Sequence, residues 1–143
     1  MHYRDSLEAL HVLPPGPVVD LGSGAGFPGI PIAIADPNRT VLLVEPRKKR
    51  ESFLRVVCAR LDLTNVHVYS MRARDIPPTL VNAAVTRATF SDPDDLQACM
   101  SWLSPEGILI AYRSEPGELK AHDVHWYELR GDRRCLLLWY NHQ

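Results

Sequence analysis

The residues best suited to chemistry run from Asp20 to Gly29, in the order Asp20-Leu21-Gly22-Ser23-Gly24-Ala25-Gly26-Phe27-Pro28-Gly29. They leave an apolar run, Pro17 to Leu21, and precede a second, Ile30 to Ala35. A strand, a glycine turn and a helix in that order let the backbone approach a ligand closely and aim unpaired helix N–H groups at it. A dinucleotide-binding G-x-G-x-x-G would need its third glycine where Phe27 stands. The spacing here is G-x-G-x-G behind an acid, and the Asp20 carboxylate would repel a pyrophosphate but suit an ammonium or a sulfonium. The pattern favours S-adenosylmethionine over a dinucleotide as the ligand of Asp20, Gly22 and Gly24. Glu45 closes another apolar run 25 positions after Asp20, and open α/β sheets bind ligands beyond the carboxyl ends of their strands. A carboxylate there can accept both ribose hydroxyls. Met71-Arg72-Ala73-Arg74-Asp75 follows a third run, where a backbone N–H and one acceptor, such as Asp75, would suffice to read adenine.

Other reactive side chains read as structural. His122-Asp123-Val124-His125 brings two rings and a carboxylate close together, but a structural zinc site gathers four ligands and no partner pair is visible, so no metal is expected. Cys58 lies on an apolar helix face and Cys135 in an apolar strand, which suits core positions better than an activated nucleophile. With Cys99 the cysteines are odd in number, without a Cys-x-x-Cys pair, and this points to a reducing, cytoplasmic compartment.

Positioning these groups takes a sheet. The strands expected are Pro17–Leu21, Thr40–Glu45, Val66–Tyr69, Ala83–Thr86, Gly107–Tyr112, Val124–Leu129 and Cys135–Tyr140, the last two forming an antiparallel hairpin about a turn at Gly131-Asp132. Helices are expected over Ile30–Ala35, over Lys48–Leu61 and over Asp94–Leu103, the last capped by Ser91 or Asp92 with Pro93 in its first turn. In the second helix Phe53, Leu54, Val57, Cys58 and Leu61 recur at helical spacing and read as core, leaving Lys48, Ser52, Arg55 and Asp62 to solvent or a partner. Strands alternating with helices imply a mostly parallel α/β sheet, and five such strands ending in a hairpin are the layout of the class I methyltransferase fold.

Composition fits that reading. A chain of 143 residues, 45% hydrophobic and 23% charged, matches one soluble globular domain over 1–143 and not a disordered chain. No secretory signal is visible and no run approaches the length of a membrane helix. The net charge of −1 argues against binding to nucleic acid by bulk electrostatics. Between Arg47 and Arg74, however, stand eight of the 16 basic residues against only Glu51 and Asp62. A phosphate-facing surface and a solvated helix face both explain that concentration.

Several elements in order, His2-x-x-Asp5-Ser6-Leu7, Asp20 to Pro31 with Phe27-Pro28-Gly29-Ile30-Pro31, Glu45-Pro46-Arg47-Lys48-Lys49-Arg50 with Phe53-Leu54, and Thr86-Arg87-Ala88, resemble the bacterial glucose-inhibited division protein B family. The resemblance implies a guanine-N7 methyltransferase of small-subunit (16S) ribosomal RNA that uses S-adenosylmethionine. By position it places cofactor contacts on Gly22, Phe27, Glu45, Ala73, Arg74 and Arg87, and basic residues on the run from Arg47 and at Arg133. Arg47, Lys48, Arg50 and Arg113 are the RNA contacts expected, with the ribosomal RNA or small subunit as partner. Arg87 is the candidate for shaping the pocket. An N7 lone pair can attack a sulfonium methyl without first losing a proton, in keeping with the absence of an evident acid–base pair; positioning then does most of the work. The family usually carries a helical segment before its His-x-x-Asp-Ser-Leu element, where this sequence begins. Arg74 replaces an acid of the family beside adenine, and Arg113-Ser114-Glu115 stands where Lys-Gly is typical. Those changes leave open an altered pocket, a different acceptor or a binding module without catalysis.

Overall fold

The computed structural model describes residues 2–87, 90 and 92–142. Ser91, one of the two candidate caps, and Ala88 of the Thr86-Arg87-Ala88 element lie outside them.

Among the described residues seven strands form one sheet: β1 Val18–Leu21, β2 Val41–Val44, β3 Val66–Tyr69, β4 Val81–Thr86, β5 Leu103–Arg113, β6 Asp123–Leu129 and β7 Asp132–Tyr140. Their spatial order is β3-β2-β1-β4-β5-β7-β6. The first five run parallel, and β7 inserts antiparallel between β5 and β6. Strand order reverses at β1, whose carboxyl end therefore opens onto the crevice in which such sheets hold ligands. β1 and β2 are buried along their whole length, as expected of apolar strands covered on both faces.

Alternation of side chains across the pleat builds two cores. One face gathers Val18, Leu43, Val85, Ile110 and Leu136 under Ile32, Leu54 and Cys58, from helices α2 Gly29–Ala35 and α3 Lys48–Arg60. The other gathers Val19, Leu42, Ala84, Leu109 and Leu137 under Cys99 and Trp102, at the end of helix α4 Pro93–Met100. All three cysteines are free and buried.

The differences from the sequence expectation have local causes. In α3 only Leu54 and Cys58 are buried, whereas Phe53, and Leu61 just past the helix end, are each 50% exposed, so the stripe on the sheet is narrower than the apolar spacing suggests. The turn between β6 and β7 is Arg130-Gly131, not Gly131-Asp132: both residues have positive φ, 53° and 83°, and Leu129 pairs with Asp132, the geometry of a two-residue primed hairpin. α4 stops at Met100, and Leu103 already belongs to β5. Asp92 caps it, accepting the Asp94 and Asp95 N–H groups at 2.7 and 3.2 Å while the Asp95 carboxylate accepts the Asp92 N–H.

The N-terminal element is a helix without a counterpart in the apolar pattern, α1 Tyr3–Leu7, followed by a 3-10 turn, Glu8–His11. Tertiary contacts hold it. The buried Asp5 carboxylate accepts hydrogen bonds from the Tyr127 hydroxyl and, at 3.2 Å, from Arg134 Nε, and the Ser6 carbonyl accepts one from Tyr112. Among the described residues no helix is long and apolar enough to cross a membrane.

Candidate functional site

The turn after β1 is tied to β2 by its own backbone: Gly22 and Ser23 both donate to the Val44 carbonyl, at 2.9 and 3.1 Å. Gly22 has φ of 76° and open space where a Cβ would project, so glycine serves there both for backbone conformation and for clearance above the loop. At the far end of the loop Gly29 begins α2 close against the sheet; a Cβ would stand 2.3 Å from Leu43 Cδ2 and 2.8 Å from Asp20 Oδ2. Phe27 is half-buried beside it.

Two buried carboxylates frame this loop. Asp20 is 1% exposed, and its Oδ2 accepts the Gly29 N–H at 2.8 Å. Its Oδ1 is buried and has no hydrogen-bond partner among the described residues. Burial, partly offset by the Gly29 N–H, by the charge of Arg87 and by Ser23, pushes the carboxyl up to about 7. An orphaned carboxylate oxygen of this kind asks for a donor or a cation. Glu45, fully buried just beyond β2, takes the opposite state. It accepts the Gly24 N–H at 3.1 Å, the Arg47 N–H at 2.7 Å, and Arg47 Nε and a terminal guanidinium nitrogen at 3.2 Å. Burial alone would raise its carboxyl, but these bonds and the Arg47 charge hold it below the ordinary carboxylate value.

A third feature was not legible in the spacing. Guanidinium nitrogens of Arg87 and Arg50 both approach Gly24, where a Cβ would stand 3.1 and 3.2 Å from them. Arg87 follows β4 and Arg50 lies in the first turn of α3; only the parallel pairing of β1 with β4 and β2 brings them to one loop. Asp20, Gly22, Gly24, Glu45 and Arg87 thus meet, joined by Arg47 and Arg50 from the basic run. Lys48 is exposed on α3.

The remaining candidates stand apart from this cluster. Beyond β3 the Ala73 carbonyl accepts the Trp102 indole N–H at 2.8 Å, and Ala73 and Arg74 border a hollow of about 240 Å³ with Arg72, Phe90, Asp95 and Cys99. Asp75 caps its own turn, accepting the Arg72 N–H at 2.7 Å. Arg113 ends β5 beside a larger hollow. Arg133 lies 4.0 Å over the Trp126 ring, a cation–π contact on the hairpin. His122 and His125 have separate partners, the Tyr140 N–H and Glu8 respectively. Among the described residues no group of three His, Cys, Asp or Glu could hold a metal ion.

A parallel sheet of this order with a glycine turn after β1 and an acid after β2 is the class I methyltransferase architecture. Its likeness to solved structures includes an RNA methyltransferase from Salinibacter ruber in complex with S-adenosyl-L-homocysteine, with a TM-score of 0.73 at 16% identity over 97% of this chain and 89% of that one. The chain belongs to the GidB family, described as rRNA small subunit methyltransferase G, which it matches over residues 1–131. Proteins named ribosomal RNA small subunit methyltransferase G are 38% identical over 98 residues in Helicobacter hepaticus and 35% identical over 138 residues in Wolinella succinogenes. These alignments cover 66% and 94% of this chain, and 53% and 72% of the relatives. The chain spans about half the length of several of the curated relatives it matches.

Proposed function

We propose that this protein is an S-adenosylmethionine-dependent methyltransferase acting in the cytoplasm on guanine N7 of small-subunit ribosomal RNA. The observation that carries the reading is the buried Asp20 carboxylate, with one oxygen unpaired, beside an open glycine turn and a second buried carboxylate at Glu45. These residues fit the cofactor: the unpaired Oδ1 takes the ammonium of its methionine part, Gly22 and Gly24 let it lie against the backbone, and Glu45 takes the ribose hydroxyls. Glu45 then exchanges its bonds from the exposed Arg47 guanidinium for those hydroxyls while keeping the Gly24 N–H. Arg50 and Arg87 stand over Gly24, where they suit the cofactor's carboxylate. Arg87 also follows β4, beside the expected position of the acceptor. When bound, S-adenosylmethionine supplies a sulfonium methyl that a ring nitrogen takes through its lone pair with no proton to remove. The protein's part is alignment of the acceptor, the exclusion of water and the charge environment set by Asp20 and Arg87. Lys48 and its basic neighbours on α3 supply phosphate contacts.

The test is chemical cleavage of ribosomal RNA at 7-methylguanosine in cells with and without the gene. Loss of one small-subunit cleavage site with the gene supports the proposal; an unchanged pattern refutes it.

A further inference from the structure

The hollow at the end of β5 is lined by Phe90, Asp92, Pro93, Leu96, Arg113, Glu118 and Leu119 and has a volume of about 500 Å³. That lies within the range of small-molecule sites, ~300–1,000 Å³. β1, which carries the glycine turn, pairs with β4, and β4 pairs with β5, so Arg113 stands at the same carboxyl edge two strands from the loop, roughly 10 Å at the usual strand spacing. The hollow therefore opens at the same end of the sheet as the glycine turn.

The lining has the chemistry of a nucleobase site. Phe90 stands edge-on against the nearly buried Trp139, with ring centroids 5.7 Å apart at 89°, which fixes its orientation, while Leu96, Leu119 and Pro93 supply apolar walls. Its polar groups are unequal. The Asp92 carboxylate is already committed to the cap of α4. No hydrogen bond or salt bridge engages the Arg113 or Glu118 side chain among the described residues. An open guanidinium and an open carboxylate on the rim of an apolar hollow match a phosphate and the edge of a base.

We infer that Glu118 selects guanine in this hollow, its carboxylate accepting the N1–H and exocyclic 2-amino donors of the extruded base, with Arg113 on the adjoining phosphate. The inference rests on the proposed RNA methylation. Guanine presents N1–H and the 2-amino group on one edge and N7 on another. A base held by the first edge at Glu118 leaves N7, on the other edge, free to meet the methyl donor. Adenine, with a ring acceptor at N1 and no 2-amino group, sets a lone pair against the carboxylate and is rejected. Glu118 thus determines specificity and positions the base; it takes part in no proton transfer.

The test uses synthetic small-subunit RNA with guanosine or inosine at the nucleotide the wild-type protein methylates, since inosine keeps N7 and N1–H but lacks the 2-amino group. Wild-type kcat/KM favours guanosine by about tenfold or more. Glu118→Gln and Glu118→Ala lower kcat/KM on guanosine and bring the guanosine-to-inosine ratio close to one, with S-adenosylmethionine affinity unchanged by calorimetry. A wild-type ratio near one, or a ratio both variants retain, overturns the role of Glu118 while RNA methylation stands. A wild-type protein that binds the cofactor but methylates neither RNA removes the proposed function and this inference together.

Discussion

Asp20→Asn separates the cost of burying a charge from its use. The carboxyl is 1% exposed and its pKa is raised from 3.8 to about 7, and a tenfold change in proton affinity is worth about 1.4 kcal/mol. The sign follows from proton linkage. Between those two values the folded protein holds a proton that the unfolded chain has released, so stability from this group falls as pH rises through the window. The whole span costs about 4 kcal/mol, and roughly 2.5 kcal/mol of it falls between pH 5 and pH 8. An asparagine keeps an acceptor for the Gly29 N–H and does not titrate. Urea unfolding of both proteins at pH 5 and pH 8 gives a double difference in which other titrating groups cancel. The variant is expected to gain about 2 to 3 kcal/mol on the wild type at pH 8 relative to pH 5, while losing affinity for S-adenosylmethionine with its charged partner for the ammonium. Equal pH dependence in the two proteins refutes the buried, proton-holding Asp20.

Three further outcomes follow from the geometry. Glu45→Gln removes the charge that holds Arg47 and accepts the Gly24 N–H, and calorimetry should show S-adenosylmethionine affinity falling by about tenfold or more. Asp5→Ala leaves the partly exposed Arg134 without its partner and the Tyr127 hydroxyl without its acceptor; a loss of about 1 to 3 kcal/mol in thermal or urea unfolding is expected, with the N-terminal segment becoming sensitive to protease. Replacing the exposed Lys48 and Lys49 of α3 by Glu is expected to weaken RNA binding and to flatten the log–log salt slope by about one for each lost phosphate contact, measured by filter binding over a salt series.

The sheet was legible in the sequence because buried parallel strands are short apolar runs between turn residues, and β3 falls at Val66–Tyr69 as its alternation indicates. β2 and β1 differ by a residue or two at their ends, where apolar character outlasts pairing. α1 was not legible: five residues carry no periodicity, and they are ordered by Tyr112, Tyr127 and Arg134, more than a hundred positions away. The exposure of Phe53 and Leu61 shows why an apolar helical stripe overstates burial when only two of its residues, Leu54 and Cys58, are fully covered and Val57 is partly so. Within the candidate site Asp20, Gly22, Gly24 and Glu45 were readable, since a glycine turn and a strand-end acid have fixed places in such a fold. The convergence of Arg50 and Arg87 on Gly24 was not, because it follows from strand order. Arg47 was read from its charge as an RNA contact, and the structure ties it to Glu45. Phe90 and Glu118, which line one hollow with Arg113, had no signal in spacing.

Calorimetric titration of the wild-type protein and of Gly22→Asp decides whether the turn after β1 holds S-adenosylmethionine. Gly22 has no neighbour within 4 Å of a Cβ, so an aspartate there meets no core atom and fills the space the ligand needs. Its positive φ of 76° strains the new residue, but aspartate tolerates the left-handed region better than most side chains, at a cost of about 1 to 2 kcal/mol. Saturable one-to-one binding is expected of the wild type, and at least tenfold weaker binding of a variant that still unfolds cooperatively. No heat of binding from the wild type, or equal affinity in the two proteins, contradicts a cofactor site at this turn.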